Sequence, residues 1–105
     1  MLATVYGDVP SMRLLLDRGA DVNAANHEGA TALMRAAVDF EKLRLLVERG
    51  ADVNAQSKLG NTPLMLAARP HNSHQAVELL LARGANAKAA NHFGATALML
   101  SLIHI

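Results

Sequence analysis

The sequence contains no cysteine among its 105 residues. Disulfide bonds and thiolate metal sites are therefore excluded. Aromatic residues make up only 3% of the chain, so its core has to be built from smaller apolar side chains. No apolar run reaches the length of a membrane-spanning helix, and the start, MLATVYGDVP, lacks the features of a signal peptide. We therefore expect a soluble protein, cytoplasmic and of one domain, with no membrane partner.

The sequence also lacks a strong excess of either charge, since Lys and Arg together exceed Asp and Glu by one. This balance argues against nucleic acid as a partner, because nucleic-acid-binding domains usually carry a basic patch. The charge is uneven along the chain. Residues 1–56 hold six Lys and Arg against eight Asp and Glu, whereas residues 57–105 hold four against one. The basic half favours either an acidic partner or an ordinary solvated surface.

One phrase is repeated three times, as RGADVNAANHEGATAL at 18–33, RGADVNAQSKLGNTPL at 49–64 and RGANAKAANHFGATAL at 83–98. Three markers keep the same register, with steps of 31 and 34 residues. They are Gly19, Gly50 and Gly84; Gly29, Gly60 and Gly94; and Thr31, Thr62 and Thr96. Such periodicity indicates stacked units that bury their apolar faces only against their neighbours.

Each repeat predicts two helices. The threonines suit the N-cap of a short first helix, TALMRAAV or TPLMLAAR, and Pro63 suits its first position. The second helix, rich in leucine, is predicted to end at its glycine in the left-handed conformation. Asp39 is the predicted cap of the middle second helix, and Asn72 or Ser73 that of the last. Stacking is expected to bring together Leu33, Leu64 and Leu98, and likewise Leu14/Leu15, Leu45/Leu46 and Leu79/Leu80.

These features resemble the ankyrin repeat family over essentially the whole chain. GNTPLMLAA and LRLLVERGADVNA match the family pattern, although Met34, Met65 and Met99 stand where the family has histidine. The resemblance implies an all-α fold, an ankyrin-repeat solenoid of stacked helix-turn-helix units joined by hairpin loops. We expect one array over residues 1–105, with a partial repeat at 1–25, repeats at 26–56 and 57–90, and a partial repeat at 91–105.

The resemblance also implies a protein–protein interaction module that binds another protein through hairpin tips and the exposed ends of the first helices. By register, the expected tip residues are His27, Glu28, Lys58, Leu59, Asn61, His92 and Phe93. The expected helix-end residues are Tyr6, Val38, Asp39 and Arg69. Leu59 and Phe93 are candidate anchors, because an apolar residue at an exposed tip suits a binding hot spot. The alternative is that each covers its own loop.

No arrangement of residues in the sequence indicates catalysis. His27 and His92 hold equivalent positions, but two repeats at roughly 10 Å per layer separate them, whereas a zinc–nitrogen bond is about 2 Å. His71 and His74 lack further acidic or thiol ligands, and the acids of the second helices occur singly. We therefore expect a protein that is not an enzyme, with no metal site and no cofactor.

Two alternative functions are open at this point: a regulatory or targeting segment of a larger enzyme or secreted effector, and a structural spacer. Both ends of the array look cut, which predicts self-association through uncovered end faces. The last residues, LSLIHI at 100–105, look like the in-frame translation of a transposase end sequence used in sequencing adapters. We expect at least part of an adapter scar there, the alternative being a coincidental apolar helix. Uninterrupted codons for this segment in the source gene would refute the adapter hypothesis.

Overall fold

The chain folds into helix pairs that alternate between a short and a longer helix. The computed structural model describes residues 8–69 and 74–102. Its α-helices are α1 Val9–Asp17, α2 Ala32–Arg35, α3 Phe40–Glu48, α4 Pro63–Ala67, α5 His74–Ala82 and α6 Ala97–Ser101. The described residues form no strand; they contain only isolated β-bridges, which pair Ala25 with Thr31 and Ala90 with Thr96. The predicted all-α class is therefore confirmed.

The first helix of each pair begins at a threonine, as predicted. Thr31, Thr62 and Thr96 are in the extended conformation, and each hydroxyl accepts a hydrogen bond from the backbone N–H three residues later, at 3.3–3.4 Å. These helices are shorter than predicted. A 3₁₀ turn, Ala36–Val38, replaces the end of the one expected through TALMRAAV. The tighter turn lets the chain reach Asp39, which is extended and starts α3 at once.

The second helices end at their glycines, also as predicted. Gly19, Gly50 and Gly84 have φ of 94°, 88° and 92°. In each case the next residue donates its N–H to a carbonyl five residues back, at 3.0–3.1 Å, which caps the helix end. Asp39 caps α3 through Lys42 N–H. The proposed caps Asn72 and Ser73 lie outside the described residues.

The core lies between the short helices and the longer ones. Leu33, Leu64, Leu43 and Leu80 are almost completely buried, and burial of each such side chain stabilises the fold by roughly 1.5–3 kcal/mol. Small residues are buried in the same core, among them Ala36, Ala37 and Ala67, and they let the helices approach closely.

The expectation for the outermost leucines is wrong. Leu98 does not join Leu33 and Leu64 in the core but is 67% exposed, and Leu14 and Leu15 are about half exposed. The reason is geometric: each of these positions is covered by a neighbouring helix inside the stack, and no described helix covers it at the ends.

Side chains also tie each repeat to the next. The Asn23 side-chain oxygen accepts the Asp52 N–H at 2.7 Å, and the Asn54 side-chain oxygen accepts the Asn86 N–H at 2.8 Å. The Asn54 amide additionally donates to the Gly84 carbonyl at 3.1 Å. These bonds hold the loops after the second helices in register.

Candidate functional site

Three tight hairpins precede the first helices, at residues 26–30, 57–61 and 91–95. In the first, the Asn26 side-chain oxygen accepts the N–H groups of Glu28 and Ala30 at 2.9 and 3.0 Å. Asn91 does the same in the third hairpin, at 2.9 and 3.0 Å. In the second, the Ser57 hydroxyl accepts the Asn61 N–H at 3.2 Å. These side chains, which sequence reasoning did not single out, fix the shape of each tip.

Hydrogen bonds join the hairpins into one row, which we call the hairpin row (residues 26–30, 57–61 and 91–95). Lys58 N–H donates to the Glu28 carbonyl at 2.9 Å, and His92 N–H donates to the Leu59 carbonyl at 2.8 Å. The Asn91 amide donates to the Asn61 side-chain oxygen at 2.9 Å. The tips are therefore held relative to one another, and their outward side chains form one surface.

The structure places seven of the expected contact residues on this row. His27, Glu28, Lys58, Leu59, His92 and Phe93 are exposed, with Phe93 the most open of the apolar ones at 77%. Asn61 is only half-buried, and its side-chain oxygen is engaged by Asn91. The row thus presents charged, aromatic and aliphatic side chains together.

A concave pocket of about 490 Å³, here called the hairpin cavity, lies beside the first two hairpins. Glu28, Lys58, Leu59 and Asn61 line it, together with Met34, Arg35 and Leu66 from the short helices. Sequence reasoning missed Arg35 and Leu66. The signal for Arg35 was present, because it is the one charged residue within the apolar stretch TALMRAAV.

The helix-end residues do not gather at this cavity. Val38 is exposed, Asp39 is half-buried and caps α3, and Arg69 lines a second pocket between α4, α5 and α6. Tyr6 lies outside the described residues. The structure therefore brings the tip residues together but separates them from the helix ends.

The charges at the hairpin cavity are of both signs. Arg35 and Lys58 contribute two cations, and Glu28 one carboxylate. In the described part of the chain, no three His, Asp or Glu side chains are grouped so as to hold a metal ion. No helix in residues 8–69 and 74–102 could span a lipid bilayer. The arrangement provides apolar contact and charge pairing at a surface.

Comparison with known families supports the repeat architecture. The family profile described as ankyrin repeats (3 copies) matches residues 1–57 and 39–104. No curated protein matches the chain. Ankyrin repeats are generally protein–protein interaction modules and are typically non-catalytic. Since the profile spans nearly all of the sequence, the chain belongs to the ankyrin repeat family.

Proposed function

We propose that this chain is a non-catalytic binding module that contacts another protein through the hairpin row and the hairpin cavity. The observation that carries the proposal is the convergence of four expected tip residues, Glu28, Lys58, Leu59 and Asn61, on one concave pocket. The hairpin row is held by backbone bonds, so binding requires little ordering of these loops, and that lowers its entropic cost.

The lining of the cavity indicates the chemistry of the partner segment. Leu59 is about half exposed at the cavity rim, so an apolar side chain of the partner would cover it and gain by its burial. Arg35 and Lys58 would pair with acidic residues beside that side chain. Phe93, further along the hairpin row, offers a second apolar contact.

A few anchors of this kind carry most of the binding free energy in protein interfaces. Truncation of an anchor typically costs about 2 kcal/mol or more, which corresponds to a loss of affinity of roughly thirtyfold. Because Leu59 and Phe93 are exposed, their removal leaves no cavity in the core. We therefore expect Leu59→Ala and Phe93→Ala to keep the fold and weaken binding.

The experiment starts with the immobilised chain and extracts of the source organism, and a captured protein is then purified and titrated. Wild type is compared with Leu59→Ala, Phe93→Ala and Arg44→Ala by calorimetry. Arg44 is exposed on α3, outside the hairpin row and the hairpin cavity, and serves as the matched control. We expect weaker binding for the two tip variants and unchanged binding for the control.

Thermal unfolding followed by circular dichroism verifies that each variant is folded. If the two tip variants bind as tightly as wild type, they do not contact the partner and the proposal is wrong for this surface. A partner whose affinity falls only with Arg44→Ala would place the interface on the outer helices instead.

A further inference from the structure

The two ends of the stack expose positions that are buried everywhere inside it. Leu15, on α1, is 50% exposed, whereas Leu46, at the same position of α3, is 2% exposed. At the other end Leu98, on α6, is largely exposed, whereas Leu64, its counterpart on α4, is 2% exposed. The exposed positions therefore have the composition of an internal interface, and no helix among residues 8–69 and 74–102 covers them.

The internal interfaces show what covers such positions. Helix α3 packs on α1, and α5 packs on α3. An ion pair of 2.7 Å between Arg49 and Asp17 joins the first of these layers. Each covering surface is thus the side of a second helix that faces the preceding repeat. On α1 this side carries Leu14 and Leu15, which are about half exposed.

A pocket of about 530 Å³, here called the end cavity, lies at the opposite end between α4, α5 and α6. Its apolar lining includes Val77, Leu81, Ala97 and Leu98, and Arg69 and His74 stand at its polar part. In the middle repeat the equivalent of Leu81 is Val47, which is buried. Ser101 also lines the end cavity and is the one described lining residue that falls within the segment 100–105.

We propose that a second copy of this chain docks head to tail, with its α1 in the end cavity. Leu14 and Leu15 of the second copy would cover Leu81 and Leu98 of the first. The second helix of one copy would then complete the helix pair begun by α6 of the other, and the junction would continue the stacking established inside the chain. The repeat register assigns the residues before α1 to a first helix of their own, so α6 would take their place in the junction.

Hydrogen-bonding groups at the two ends of the hairpin row favour this polarity. Inside the row, the residue two places before a hairpin's glycine donates its N–H to the carbonyl of the residue just before the glycine of the preceding hairpin. At the ends of the row, the Phe93 carbonyl is the corresponding acceptor and the His27 N–H is the corresponding donor. Neither group has a hydrogen-bond partner among the described residues. A head-to-tail junction pairs them, whereas like ends would oppose two acceptors or two donors.

The charge distribution points the same way. The half of the sequence that contains α1 has two more acidic than basic residues, and the half that contains the end cavity has three more basic than acidic residues. A head-to-tail junction therefore brings halves of opposite net charge together, whereas like ends would bring together halves of the same sign.

Lys88 sets the strength of the junction. It stands where Asn23 and Asn54 accept a backbone N–H from the next repeat, and an ammonium group cannot accept. The Asp21 N–H of the docked copy would thus lack its acceptor. Lys88→Asn restores it, and we expect about fivefold tighter self-association, as one added hydrogen bond gives. Arg44→Asn, the same loss of charge on α3, is expected to have no such effect.

The test uses the fact that a head-to-tail contact joins two different surfaces and can propagate. Leu15→Lys blocks one surface and Leu98→Lys the other, and both sites are already exposed, so the core is kept. By sedimentation velocity over a concentration series, we expect wild type to associate and each variant alone to be monomeric. An equimolar mixture of the two is expected to form a dimer and nothing larger.

The control is Glu41→Gln, which changes the net charge by the same single unit on α3 and is expected to associate as wild type does. Circular dichroism checks the fold, and Leu14→Lys with Leu81→Lys replaces a variant that does not fold. The proposal is overturned if wild type stays monomeric, if either variant self-associates, or if the mixture fails to dimerise. Of the hairpin row, the junction uses only backbone groups at the two ends, and it does not use the hairpin cavity, so its failure leaves the proposed partner binding intact.

Discussion

The contact between the second and third hairpins can be tested at Gly60. Gly60 has a φ of 83°, and a Cβ added there would lie 3.1 Å from both Asn91 Cα and His92 N. Both are backbone atoms, so the third hairpin would have to move. Gly94 holds the same position in that hairpin with a φ of 79°, and its added Cβ would meet nothing within 4 Å. Alanine at the two sites shares the left-handed strain but not the clash.

The left-handed conformation costs alanine about 1–2 kcal/mol, and we expect this much from Gly94→Ala. Gly60→Ala adds the displacement of the third hairpin. That movement weakens the 2.8 Å bond from His92 N–H to the Leu59 carbonyl and the 2.9 Å bond between the Asn91 and Asn61 side chains. At about 0.5–1.5 kcal/mol each, these losses make Gly60→Ala about 1–3 kcal/mol more destabilising than Gly94→Ala.

Urea unfolding followed by far-ultraviolet circular dichroism measures both free energies. Gly50→Ala is a second control, because its φ is 88° and its added Cβ also meets nothing within 4 Å. It should match Gly94→Ala. Equal unfolding free energies for Gly60→Ala and Gly94→Ala would show that the second and third hairpins do not touch as described.

Three further predictions concern the helix caps and the register of the stack. Thr62→Val should lower the unfolding free energy by about 1 kcal/mol, as loss of an N-cap does, while Thr62→Ser should retain most of it in urea unfolding. Asn54→Ala should cost about 1–2 kcal/mol by loss of its two bonds to the next loop, and Lys88→Ala, at the equivalent position, should be near neutral. The Ser11 hydroxyl and N–H, which bond the Asp8 carboxylate, lower the pKa of Asp8. The stabilisation from Asp8 is therefore present above its unfolded-state pKa of about 3.9 and is lost as the pH falls through the lower pKa of the folded state. In acid unfolding monitored by circular dichroism, Asp8→Asn should remove this pH dependence of stability. An unchanged acid unfolding profile would contradict the assignment.

The repeat register was predictable because few other residues can replace threonine at a helix N-cap or glycine in the left-handed conformation at a helix end. Thr31 and Gly50 fix the start and end of helices by local backbone chemistry, and local chemistry can be inferred from sequence. The 3₁₀ turn at Ala36–Val38 was not predicted, because it results from the short connection to Asp39. The exposure of Leu98 was missed for a related reason. The repeat pattern indicates which helix face carries a residue, but burial of that residue depends on whether a neighbouring helix covers the face.

In the candidate site too, local features were predicted and contacts between distant residues were not. Glu28, Lys58 and Leu59 were predicted at the tips, because register alone places them there. Their convergence with Arg35 on one cavity depends on how the short helices pack beside the hairpins, a relation between residues that are distant in sequence. Asn91 closes its own hairpin, a local role that the sequence could have indicated, whereas its bond to Asn61 depends on the neighbouring hairpin.

Amide chemical-shift mapping would locate the surface on which a partner binds. The isotope-labelled chain is titrated with the purified captured protein, and shift changes are mapped onto the structure. If the partner binds the hairpin row and the hairpin cavity, we expect the largest changes at Glu28, Arg35, Lys58, Leu59 and Phe93. Changes confined to α1, α3 and α5, with the hairpin amides unmoved, would contradict it.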